Sequence, residues 1–80
     1  MSAKAQRHGR TLAEVRTASR RVRDLIARMG DVSPSRISYR DAATMMRLEG
    51  RVREAERRRW LLELTRAEWE LLERLEEQLR

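Results

Sequence analysis

Apolar residues recur at three- and four-residue steps in three stretches of the chain. Leu12, Val15, Ala18, Val22, Leu25 and Met29 form the first stripe, with Ile26 beside it. Such a period places them on one face of an amphipathic helix. Thr11-Leu12-Ala13-Glu14 has the form of a capping box, in which hydroxyl and carboxylate each satisfy the other residue's backbone N–H. Gly30 is suited to a left-handed cap, and Pro34 blocks continuation. The pattern predicts a helix over 12–29.

A second stripe runs through Met45, Leu48, Val52, Ala55 and Leu62 behind a second box, Ser38-Tyr39-Arg40-Asp41. It predicts a helix over 39–63, weakened where Arg59 stands in place of the next apolar residue. A third box, Thr65-Arg66-Ala67-Glu68, is flanked by Leu64 and Trp69 at the spacing of a hydrophobic staple. It predicts a helix over 66–79 carrying Trp69, Leu71, Leu72, Leu75 and Leu79. Every residue from 39 to 79 tolerates helix, so one uninterrupted helix is the competing reading. Residues 1–10 show no periodicity and read as a flexible basic arm, leaving 11–80 as a single helical domain. No stretch alternates as a strand would.

Length adds a constraint. A helix over 12–29 spans ~27 Å and one over 39–63 ~37 Å, so the first cannot cover the second. The third helix, or a second chain, has to cover the rest. The expected fold is therefore all-α: two or three amphipathic helices forming an antiparallel hairpin or small bundle that self-associates.

Composition narrows the possibilities. The 80 residues suffice for one domain, with 40% charged residues, no Phe and one Tyr. Without cysteine there is no disulfide, thiolate metal site or cysteine nucleophile. No apolar run approaches the ~20 residues of a membrane span, and Met1–His8 lacks the apolar core of a secretory signal. A cytoplasmic protein without membrane contact is expected.

Charge is the feature that points toward function. The basic residues are 18 arginines and one lysine. Residues 1–40 carry ten of them against three acids, a formal +7, whereas residues 41–80 carry nine against ten. A one-sided surplus makes a directional field, and guanidinium binds phosphate or carboxylate in bidentate fashion. With Val15, Val22 and Met29 turned inward, Arg16, Arg20 and Arg23 share one flank of the first helix. Arg16 and Arg23 have no acid at i±3 or i±4 to neutralise them. Asp24 and Glu14 are placed to pair with Arg28 and Arg21 on the other flank. Lys4, Arg7 and Arg10 precede the flank on the arm, so these six residues are the expected nucleic-acid contacts. The flank has no aromatic for base stacking, which favours contact with the phosphate backbone. An acidic protein surface is the other partner such a face fits, and plain solvation is the bland alternative.

Other groups carry less. A helix-turn-helix over Leu25–Tyr39, with Ser35, Arg36 and Arg40 facing bases, wants an apolar residue where Arg36 stands and a shorter turn. Residues 49–59 neutralise themselves through Glu49–Arg53, Glu54–Arg58 and Glu56–Arg59, and Glu70–Arg74 repeats the arrangement. His8 has no second histidine for a metal site or dyad, and Glu68, Glu70, Glu73, Glu76 and Glu77 read as the wet side of a helix. No catalytic residue, metal, cofactor or small-molecule substrate is expected. Met45, Met46, Trp60, Leu61, Trp69, Leu72, Leu75 and Leu79 are the candidate protein-interface residues, because adaptable Met and Trp are favoured at contacts. The sequence thus predicts a small non-enzymatic nucleic-acid-binding regulator whose C-terminal helices self-associate. A protein–protein interaction module, such as an assembly subunit, adaptor or phage-type inhibitor, is the alternative.

Overall fold

The computed structural model describes residues 10–32 and 34–80. Among the described residues three α-helices form where side chains satisfy backbone donors at their first turns. Helix α1 is Leu12–Met29. The Thr11 N–H donates to the Glu14 carboxylate at 2.8 Å, and the Glu14 N–H donates to the Thr11 hydroxyl at 3.1 Å. That backbone bond from Thr11 holds the Glu14 carboxyl below its ordinary pKa. Helix α3 is Arg66–Gln78 and opens with the same reciprocal pair between Thr65 and Glu68. Helix α2, Tyr39–Arg58, keeps half of the expected box. The Ser38 hydroxyl accepts from the Asp41 N–H at 3.1 Å, but the Asp41 carboxylate is turned to Arg74 of α3 instead. A short 3-10 turn, Pro34–Arg36, lies between α1 and α2. No described residue belongs to a strand.

Two chain reversals differ from expectation. Gly30 ends α1 in a right-handed conformation, φ −68°, so its left-handed freedom is unused. Helix α2 stops at Arg58, five residues earlier than the apolar stripe predicts. There Arg59 takes the left-handed conformation, φ 61°. Its N–H donates to the Glu56 carbonyl and that of Trp60 to the Ala55 carbonyl, at 3.2 and 3.0 Å. This is a Schellman end, with a basic residue where glycine is usual. The break coincides with the interrupted stripe: the residue that failed to supply an apolar group is the one that turns the chain. Residues 60–64 are non-helical, and α3 starts at the staple. Leu64 and Trp69 both line one cleft beside it.

The core gathers one face from each helix into a compact unit. Ala18, Val22 and Leu25 come from α1, Met45, Leu48, Val52 and Ala55 from α2, and Trp69, Leu71, Leu72 and Leu75 from α3, with Leu62 and Leu79 closing the ends. Helix α3 and the segment before it thus supply the cover that α1 alone is too short to give. Leu12, first in the α1 stripe, lies outside this core and is half exposed.

Ion pairs bridge the helices around that core. Arg21 of α1 grips Glu76 of α3 through Nε at 3.0 Å and Nη2 at 2.6 Å. This bidentate bond raises the Arg21 pKa above its ordinary value. Arg74 and Asp41 join α3 to α2 at 3.0 and 3.3 Å, and Arg51 reaches Glu68 at 2.6 Å. The acidic residues of α3 therefore meet arginines of the same chain. Arg21 does not pair with Glu14 or Asp24, nor Arg74 with Glu70, because contacts between helices supply better-aligned partners.

Candidate nucleic-acid interface

Residues 16, 20 and 23 lie at four- and three-residue steps, so α1 carries Arg16, Arg20 and Arg23 along one exposed flank while Val15, Ala18 and Val22 turn inward. From Arg16 to Arg23 the helix rises ~10.5 Å, about three 3.4 Å steps of one nucleic-acid strand. The three arginines line a shallow cleft of about 430 Å³ together with Thr17, Ser19, Asp24 and Glu56. Arg16 and Arg20 make no ion pair with any described residue. Arg23 does: its Nη2 donates to the Glu56 carboxylate of α2. Sequence spacing assigned Glu56 to Arg59, but the helix end carries Arg59 away and leaves Glu56 facing α1.

Arg10 lies apart from the flank. Its guanidinium pairs with Glu73 at 2.6 Å and lies over the Trp69 ring, 4.7 Å from the centroid, with Arg21 at 5.6 Å from the same ring. Its Nε is buried and donates to nothing among the described residues. Arg10 is thus part of the fold, clamped where the aromatic face and an α3 carboxylate both attract it. Lys4 and Arg7 lie outside the described residues.

Arg28, Arg36, Arg40 and Arg47 also lack an ion pair among the described residues. The Arg36 guanidinium donates to the Gln78 carbonyl at 2.9 Å, and that of Arg47 to the Thr44 hydroxyl at 3.1 Å. Asp24 does not neutralise Arg28. The expected self-pairing further along is present: Glu49 with Arg53, and Glu54 with both Arg57 and Arg58. Positive charge without a partner is thereby concentrated in α1, the turn and the first half of α2. The signal was present in the two-halves charge split; what sequence could not supply was which acids of α3 would cross to α1.

The candidate protein-interface residues divide sharply. Met45, Leu72 and Leu75 are fully buried, and Trp69 and Leu79 nearly so. Their apolar side chains fill the chain's own core, which leaves them no face to offer a partner. Met46, Trp60 and Leu61 are exposed. Tyr39, 90% exposed, joins them without having been singled out. Between α1 and α2 the described residues form the 3-10 turn Pro34–Arg36, and the next helix begins at Tyr39. Among the described residues no group of His, Asp or Glu is arranged to hold a metal ion. No described helix is long and apolar enough to cross a membrane.

In comparisons with known proteins, no family model matches the chain. No curated protein and no solved structure matches it either.

Proposed function

We propose that this chain is a small, non-enzymatic nucleic-acid-binding regulator that grips the phosphate backbone through α1. One observation carries the reading: among the described residues Arg16 and Arg20 stand exposed on one flank without an ion pair, while ten other described arginines are taken up in ion pairs. Phosphate supplies the bidentate acceptor those guanidiniums lack. Arg23 stands beside them as a third donor, held in wild type by the Glu56 carboxylate. Lys4 and Arg7 add charge from the segment before Arg10. The flank has no aromatic, so the contacts are to backbone and carry little sequence preference.

The reading includes a cytoplasmic location, an antiparallel small bundle and self-association. The crossed pairs Asp41–Arg74 and Arg51–Glu68 support opposite directions for α2 and α3. A labelled DNA duplex titrated at low salt tests it: binding to wild type is expected, and no binding at ~20 mM salt, where phosphate contacts are strongest, rules the function out. A protein–protein module is the second reading, favoured by the exposure of Trp60 and Leu61. It expects a partner to survive Arg16→Ala with Arg20→Ala and to be lost with Trp60→Ala.

A further inference from the structure

Leu61 lies midway along the non-helical segment between α2 and α3 and is 48% exposed, next to Trp60 at 56%. It belongs to two clefts at once. One, of about 730 Å³, it shares with Leu12; the other, of about 530 Å³, with Trp60. Three large apolar side chains thus stay wet in a protein that has few to spend. The surroundings are unlike the rest of this +6 chain. Around the larger cleft Glu63, Glu70 and Glu73 outnumber Arg10 and Arg66. There a phosphate backbone meets carboxylates, whereas a second copy can set its own arginines against them.

The segment is also complementary to itself. Arg59 stands immediately before Trp60-Leu61-Leu62 and Glu63 immediately after, and neither side chain forms an ion pair with a described residue. A two-fold contact requires that residue i meet j and j meet i. Two antiparallel copies with Leu61 on the axis satisfy this: Arg59 faces Glu63 of the second copy twice, and the exposed Trp60 side chains flank the Leu61 pair, while Leu62 stays in the core of its own copy.

We propose that a second copy of this chain docks on residues 59–63, antiparallel and centred on Leu61. The inference rests on the self-association in the proposed function and moves the contact from the helix leucines to the segment between helices.

The full chain lacks cysteine, so a single introduced thiol reports proximity cleanly. Mild oxidation of Leu61→Cys is expected to give a covalent dimer, while Met46→Cys, exposed on α2, stays monomeric. In sedimentation, Arg59→Glu is expected to weaken the dimer about tenfold, through two exposed pairs. Arg59→Glu combined with Glu63→Arg restores it, with circular dichroism confirming helicity in each. A wild type monomeric at millimolar concentration overturns self-association and this interface together. A dimer that neither cross-links at position 61 nor responds to the charge exchange overturns the interface alone.

Discussion

Arg23 of α1 and Glu56 of α2 form an ion pair between helices at the edge of the arginine flank. The carboxylate occupies one of three guanidiniums that face the same cleft, so it competes with any incoming phosphate. Glu56→Gln is therefore expected to tighten duplex binding several-fold. The log–log salt dependence should steepen by about 0.9, the increment for one further phosphate neutralised. Anisotropy titrations at several salt concentrations check both. An unchanged slope means that Arg23 does not reach the ligand.

Arg21 lies on the opposite flank and has a structural role. It is bonded twice to Glu76 and sits 5.6 Å from the centre of the Trp69 ring. Arg21→Ala is expected to cost about 1–3 kcal/mol, within the range for losing charged hydrogen bonds and the accompanying packing. Arg20→Ala, one residue away and without an ion pair to a described residue, should stay within ~0.5 kcal/mol of wild type. Urea denaturation of the two variants separates the flanks by stability, independently of any binding assay.

These two arginines also mark how far the sequence was legible. The stripes and capping boxes are local: Thr11 with Glu14, and Thr65 with Glu68, are three residues apart, so pattern alone placed α1 and the start of α3. The exposure of Arg16 and Arg20 followed from the same helical period. Arg21–Glu76, Arg10–Glu73 and Asp41–Arg74 join residues dozens of positions apart, and helical spacing says nothing about them. For the same reason spacing assigned Glu56 to Arg59, and the charge of the N-terminal arm assigned Arg10 to nucleic acid. The buried fate of Met45, Leu72 and Leu75 depended on whether α3 returned over the chain's own core, which only tertiary packing decides.

Arg59 holds a conformation that side chains adopt reluctantly, φ 61°. Arg59→Gly removes the Cβ conflict at this helix end and is expected to stabilise the fold by about 0.5–1 kcal/mol. Arg59→Val, β-branched at the same angle, should destabilise it by about 1–2 kcal/mol. Thermal melts at low micromolar concentration keep any association out of the comparison. Equal melting temperatures for the two variants would contradict the left-handed turn.

Asp41 gives the fold a defined sensitivity to acid. The Arg74 guanidinium bonded to it, helped by the Ser38 hydroxyl, holds its carboxyl below the usual aspartate pKa. A carboxylate with a depressed folded pKa contributes stability above its unfolded value, ~3.9, and loses it as pH falls through the folded pKa. Wild type should therefore be more stable than Asp41→Asn at neutral pH. The gap should close only below about pH 4. A gap that is constant from neutral to strongly acidic pH means that the Asp41 charge contributes nothing.

The central claim is that Arg16 and Arg20 bind the phosphate backbone. It is tested most directly by the salt dependence of duplex affinity for wild type beside the Arg16→Ala, Arg20→Ala double variant. The account predicts weaker binding by the variant, with a log–log slope shallower by about 1.8, as expected when two fewer phosphates are neutralised. A variant that matches wild type in both affinity and slope would contradict it.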